Sequence, residues 1–328
     1  MRASVIAHPN IALVKYWGKR DAALNLPAAD SLSYTLGPFA TRTQLTWAGV
    51  AGPDRFLLNG AAPSPKVAAR LTRFLDLVRA MRPGLGAAEV VSANDFPTAA
   101  GLASSASAFA ALALAAVRAG EVALPTAALS ALARQGSGSA ARSLFGGYVH
   151  MHAGQAIDGS DAYATPLFPA EHWPLEVVIV LTTEGEKEVP STEGMNHTEA
   201  TSPYYGAWIE TVPTAIVEAS AAIARRDFEA LAHTAEASAL QMHASAIAAT
   251  PGVLYWRGAT IETLHAVRAL RRQGLAAFFT IDAGPHVKVF CLPEAADKVA
   301  EAMREVPGVR GLLRAEAGGA ARVLEAAT

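Results

Sequence analysis

The sequence carries one cysteine, Cys291, in 328 residues. A disulfide within the chain is impossible, and a cytoplasmic enzyme is the natural reading. Cys291 sits in "VKVFCL" and reads as a buried residue. Charge is sparse too, at 17% of residues, and 27 basic side chains nearly cancel 29 acidic ones, for a formal net charge of −2. No global field recruits nucleic acid or an anionic membrane, so an anionic ligand has to be held by a local cluster of donors. Long apolar runs are missing. "FAALALAAVRAG" is too short to span a bilayer. The opening "MRASVIAHPNIALVKYW" lacks the apolar core and small-residue cleavage site of a signal peptide. No HExxH or other metal-ligand spacing appears, so His8, His150, His152, His197 and His243 read as packing or surface residues rather than ligands.

What is present is apolar and long. Hydrophobic residues make up 52% of the chain, which excludes disorder, and much of that share is alanine, which suits closely packed helices. The length exceeds one typical domain of about 100–200 residues. Two domains are expected, residues 1–172 and 173–328. In the first, "RASVIAH", "SLSYTL", "RTQLTWAG" and "RFLLNG" read as short strands, with Asn59-Gly60 a hairpin signal. "PKVAARLTRFLDLVRAM" has Val67, Leu71, Phe74, Leu75 and Val78 at helical spacing. "AAEVVSAND" is a strand, two helices follow, and "SLFGGYVHMHA" is read as a strand. In the second half Leu175 to Leu181 is a buried strand, residues 213–246 are helical with an interruption, and a helix ends at Gly274. "LAAFFTIDAGPHVKVFCL" is strand, turn, strand, and "EAADKVAEAMREV" is a last helix. Without a regular β-α-β beat this is an α+β arrangement of layered domains.

One stretch does not read as ordinary core. "FPTAAGLASSASAFAALALAAV" (96–117) turns through Gly101, presents Ser104, Ser105 and Ser107, and then becomes an apolar helix. Such a turn leaves backbone N–H groups pointing outward at the positive end of a helix dipole, which is an anion site. Ser104 and Ser105 can cap the helix, contact phosphate oxygens or ligate Mg²⁺. A plain serine N-cap is the alternative. No Walker lysine is present. Three charged residues stand out elsewhere. Lys15 lies on the apolar strand "IALVKYWG", where a buried ammonium needs a partner or ligand unless it snorkels from an edge. Asp282 ends a strand in "TIDAGP", where it either projects into a cleft or organises the turn. Arg142 in "SGSAARS" offers a bidentate fork, unless it is a surface arginine. Arg20 is expected in a surface ion pair.

"PTAAGLASSAS" resembles the phosphate-binding motif of the galactose, homoserine, mevalonate and phosphomevalonate kinase superfamily. "PNIALVKYWGKRDAALNLPAADSLSYTL" (9–36), "GSGSAARSLFGGYV" (136–149) and "TIDAGPHVKV" (280–289) resemble, in order, mevalonate diphosphate decarboxylases, and "STEGMNHTEATSP" and "MHASA" fit as well. The resemblance runs from residue 5 to beyond 290. It implies a small-molecule kinase fold, a ribosomal-protein-S5-like N-terminal domain with a ferredoxin-like C-terminal one, and an active site in the cleft between them. It implies ATP and Mg²⁺, a soluble homodimer, and conversion of 5-diphosphomevalonate to isopentenyl diphosphate, CO₂, ADP and phosphate. Neither nucleic acid nor membrane is an implied partner.

By the same resemblance Asp282 lies beside the substrate 3-hydroxyl, Lys15 beside the transferring phosphate, and Arg142 on the substrate carboxylate. Tyr16, Trp17, Lys19, Ser137, Ser139, Ser191 and Asn25 are the substrate-binding candidates. Asn94, Gly101, Leu102, Ala103, Ser104 and Ser105 are those for ATP, with Ser105 the weak candidate for Mg²⁺, held mainly through phosphates. The chain departs from the family pattern at Pro9 and at His286, where asparagine is expected, and the segment after Gly60 leaves Lys66 and Arg70 open as nucleotide-side cations. A 5-phosphomevalonate decarboxylase, a mevalonate 3-kinase-like enzyme and, more distantly, a non-catalytic nucleotide-binding regulator are the alternatives.

Overall fold

The computed structural model describes residues 1–96, 102, 104–183, 185 and 188–324. Gly101 and Ala103 of the expected phosphate loop lie outside the described residues. Among the described residues the strands form two large sheets and a small ribbon. The first has five strands in the order Arg322–Leu324, Arg2–Ala7, Thr41–Trp47, Ala88–Asn94, Arg55–Leu58. The second has eight and runs through both halves of the chain. Its order is Ala164–Phe168, Tyr148–Met151, Ser31–Gly37, Gly311–Ala317, Glu176–Leu181, Val287–Cys291, Ala277–Ile281, with Asn10–Val14 also paired to Ser31–Gly37.

Local sequence explains most elements. The helix Pro65–Met81 begins where Ser64 caps the Val67 N–H and Pro65 pre-sets the first turn. It buries Leu71, Phe74, Leu75 and Val78, but Val67 is left 40% exposed. The helix Ser104–Ala119 packs on Thr41–Trp47 and Arg2–Ala7. Alanines such as Ala106, Ala110 and Ala113 bring its backbone close to those strands. The interrupted helical region is two helices, Tyr205–Arg225 and Phe228–Ile247. Arg226 takes a left-handed conformation between them and Asp227 caps the second.

Some expectations change. The turn Asn59-Gly60 is tight and left-handed, with φ of 49° and 82°, but it closes no hairpin of strands. Arg55–Leu58 pairs in parallel with Ala88–Asn94 instead. The strand expected from Ser143 starts only at Tyr148, because Ser143 and Leu144 finish a 3₁₀ helix, Gly138–Leu144. "STEGMNHTEAT" is a helix, Ser191–Thr201. Arg20 makes hydrogen bonds to the carbonyls of Ala153 and Ala156 rather than the expected ion pair. Cys291 is buried, as expected.

The two halves are locked where the long sheet crosses between them. Gly37 and Leu36 pair with Glu316 and Ala317. Beside that junction Tyr34 is fully buried, edge-on to Tyr148 and Phe290. Its hydroxyl donates to the Leu175 carbonyl at 2.8 Å and accepts the Leu175 N–H at 3.0 Å. Tyr34→Phe keeps the ring and strands both backbone groups. It is expected to lower the free energy of unfolding by roughly 1–3 kcal/mol. Urea denaturation checks this, with Tyr204→Phe, 60% exposed, as the silent control.

Candidate active site

A cavity of about 520 Å³ opens between the halves. One wall comes from the first strands. Lys15 follows the apolar strand Asn10–Val14 and is 1% exposed. Its backbone N–H donates to Ser238 and its Nζ to the Ala12 carbonyl at 2.8 Å. The same Nζ lies 2.6 Å from Asp282 Oδ1. Asp282 follows the strand Ala277–Ile281, so a fully buried strand delivers the carboxylate to the rim, where it keeps 27% exposure. Burial lowers the Lys15 pKa, although Asp282 pulls it back up. Burial works against the Asp282 charge, yet Lys15, Lys288 and Arg142 outweigh it and hold the carboxyl below its ordinary value. Asp282 is therefore ionised at neutral pH.

Arg142 is the second buried cation, brought down to about 10 mainly by burial. It lies in the 3₁₀ helix after the glycine-rich turn. Its Nε donates to Asn10 Oδ1 at 3.1 Å and its Nη1 to Ser31 Oγ at 2.6 Å. Asn10 is fixed in turn by donating to Ser143 Oγ at 2.7 Å and to the Ser139 carbonyl. The Tyr16 ring lies 5.9 Å from the guanidinium. Gly138 has to be glycine here, because a side chain would collide with the Tyr16 hydroxyl.

The other wall is rich in hydroxyls and cations. Ser105 Oγ is 3.2 Å from Ser137 Oγ, which is 3.4 Å from Ser139 Oγ. Ser104, Lys19, Asn25, Arg70 and Ser191 also line the cavity. Burial and the neighbouring Arg70 lower the pKa of Lys19. Among the described residues the lining thus holds Lys15, Lys19, Arg70 and Arg142 against a single carboxylate, Asp282. Three buried polar atoms of lining residues, the donors Tyr16 Oη and Trp17 Nε1 and the acceptor Asn25 Oδ1, have no hydrogen-bond partner among the described residues. Buried donors are normally satisfied. With the excess positive charge, they mark the cavity as built for a polyanion.

The structure brings Lys15, Tyr16, Trp17, Lys19, Asn25, Ser104, Ser105, Ser137, Ser139, Arg142, Ser191 and Asp282 to one cavity. It places two other candidates elsewhere. Asn94 accepts a hydrogen bond from Thr41, whose hydroxyl also meets Ser107 at 2.6 Å. That network ties strand to helix and leaves Asn94 off the lining. Leu102 is buried in the hydrophobic core. Of the two cations left open, Arg70 lines the cavity and Lys66 does not. Asn10, Ser31 and Ser238 were missed. Asn10 had a signal, an asparagine leading an otherwise apolar strand. Ser31 and Ser238 had none. His286, the departure from the family pattern, is buried on the lining, and its Nδ1 accepts the Thr182 N–H.

Residues 7–164 match the family model "Diphosphomevalonate decarboxylase-like N-terminal domain", and residues 177–314 match "Mevalonate 5-diphosphate decarboxylase C-terminal domain". The diphosphomevalonate decarboxylase of Aspergillus fumigatus is 38% identical over 94% of this chain and 81% of its own. The mevalonate diphosphate decarboxylase structure from Staphylococcus aureus superposes with a TM-score of 0.94 at 36% identity, covering 99% of this chain and 98% of that one. A structure described as MDDEF in complex with MVAPP, AMPPCP and magnesium gives 0.92 at 38% identity, covering 99% of both chains. Matched in both halves by family models and nearly end to end by relatives, the chain belongs to the diphosphomevalonate decarboxylases.

Proposed function

We propose that this chain carries out the reaction of its family, the ATP-dependent decarboxylation of 5-diphosphomevalonate to isopentenyl diphosphate, CO₂, ADP and phosphate. The observation that carries this reading is the pairing of Lys15 with Asp282 at 2.6 Å, in one cavity with Arg142 and a wall of serines. A structure at 38% identity is described with MVAPP, AMPPCP and magnesium bound, and the donors here fit that set. MgATP supplies the phosphoryl group. The Ser105 hydroxyl is the protein oxygen on offer to Mg²⁺, which otherwise relies on phosphates. Ser104 and Arg70 attend the nucleotide phosphates. Tyr16, Lys19, Ser137, Ser139 and Ser191 take the substrate diphosphate, and Asn25 lies beside them. Trp17 walls the cavity against water.

Asp282 accepts the hydrogen bond of the substrate 3-hydroxyl. Because three cations stabilise its charge, it is a weak base and acts first as an orienter, taking the proton only as the new phosphate ester forms. Lys15 offsets the charge developing on the transferred group. Arg142, held in one pose by Asn10 and Ser31, grips the carboxylate until CO₂ leaves. We place this activity in the cytoplasm and in a homodimer. No helix among the described residues is long and apolar enough to cross a membrane.

The deciding assay offers mevalonate, 5-phosphomevalonate and 5-diphosphomevalonate with MgATP and follows ADP and alkene together. Equal ADP and isopentenyl diphosphate, from the diphosphate alone, is the expected result. Isopentenyl phosphate from the monophosphate keeps the chemistry and changes the substrate, whereas ADP without alkene makes the chain a kinase. Asp282→Asn is expected to lower kcat by about 10²–10⁴-fold with ATP affinity nearly unchanged. Since Asp282 is held below the ordinary value of 3.8, it stays charged as pH falls from 8 to 5, and its protonation costs no activity in that window. A carbon-13 titration of its carboxyl with a midpoint above about pH 5 contradicts this. Arg142→Lys replaces a fork by a point charge, and kcat/KM within about tenfold of wild type would remove Arg142 from the carboxylate.

A further inference from the structure

A second group of titratable side chains lies away from the cavity, near the edge of the eight-stranded sheet. His150 lies on the strand Tyr148–Met151 and His152 is the residue just past its end, two positions on, and the two rings lie side by side. Their centroids are 4.1 Å apart. Asp30 comes from the residue before the neighbouring strand Ser31–Gly37, whose Leu32 lies opposite His150. Asp30 Oδ2 is 2.8 Å from His150 Nε2, and Oδ1 accepts the Ala153 N–H at 2.8 Å. His152 Nε2 meets Thr165 Oγ1 at 2.9 Å. One ligand atom each from Asp30, His150 and His152 lies within 4.8 Å of the other two. None of the three lines the cavity.

We propose that Asp30, His150 and His152 form a binding site for a divalent transition-metal ion of the zinc type, separate from the magnesium and nucleotide of the reaction. The donor set argues the ion class. Two imidazoles and one carboxylate suit zinc, cobalt or nickel, whereas magnesium and calcium take oxygen ligands. The spacing argues feasibility. Bonds of about 2.0–2.2 Å hold tetrahedral ligand atoms roughly 3.3 Å apart, so small side-chain rotations bring these three atoms onto one ion. In that state His150 binds through Nε2 with its proton on Nδ1, and the ion replaces the hydrogen bond to Asp30.

Preorganisation is visible as well. The strand pairing fixes the His150 backbone opposite Leu32, and the His152 N–H donates to the Tyr163 carbonyl. The free Asp30 oxygen is held by a backbone N–H, the kind of outer support that orients a metal carboxylate. All three residues are half-buried, which leaves a solvent-facing position for water or an exogenous ligand. An Asp–His hydrogen bond beside a stacked second ring is the competing account, and it predicts no metal uptake.

The test titrates the full, tag-free chain, without nucleotide, with ZnCl₂ by calorimetry and with CoCl₂ by visible absorption. Wild type is expected to take up one equivalent of zinc, and cobalt is expected to give the bands of a low-coordinate site. His152→Ala and Asp30→Asn are expected to weaken zinc binding by at least about tenfold, the scale that even outer-sphere partners command. Decarboxylation by His152→Ala in metal-chelated buffer, with excess magnesium, should match wild type. No zinc uptake by the folded wild type, or equal affinity in wild type and both variants, overturns the proposal.

Discussion

The buried ion pair between Lys15 and Asp282 is the constraint around which the rest is arranged. One partner follows an early strand and the other a late one, so the pair exists only when both halves have docked. Taking an ammonium out of water costs several kcal/mol, and a partner must offset that with good geometry. Asp282 does so for Lys15 at 2.6 Å, with the Ala12 carbonyl as a second acceptor. The same carboxylate also faces Arg142 and Lys288. One anion therefore serves several cations, and neutral groups carry the remainder. Asn10 and Ser31 hold Arg142 with oxygen dipoles rather than charge. Among the described residues the site keeps an excess of positive charge that its own side chains do not cancel, which suits an anionic ligand.

Rigidity of the frame follows from the same need. A fork aimed at a carboxylate tolerates little drift. Arg142 is braced through Asn10 to Ser143 and through Ser31 to the strand that continues into the sheet of the other half. The aromatic cluster of Tyr34, Tyr148 and Phe290 fills the junction.

Legibility in the sequence tracked how local the cause was. The apolar spacing of Leu71, Phe74, Leu75 and Val78 announces a helix, and the helix is there. Lys15 in an apolar strand and Asp282 before a Gly-Pro turn are conspicuous because a charge in such company needs a reason. Ser31 looks like any strand serine, and its partner Arg142 is 111 residues away. Asn94 was nominated by adjacency. It precedes the phosphate loop in sequence, but its side chain turns back to Thr41. The histidines at 150 and 152 read as packing because a spacing of two matches no compact metal motif, and the carboxylate that meets His150 lies 120 residues earlier. Contacts between distant segments are what sequence patterns do not encode.

The first sheet borrows its outer strand, Arg322–Leu324, from the far end of the chain, where it pairs with Arg2–Ala7 through Ser4, Val5 and Ile6. During synthesis the N-terminal segments emerge first, but this edge stays unpaired until Arg322–Leu324 has been made. An open edge is a template for other strands. The nascent enzyme thus passes through an interval in which its first-made sheet is vulnerable to pairing with a neighbour on the same message, and a late truncation would make that interval permanent.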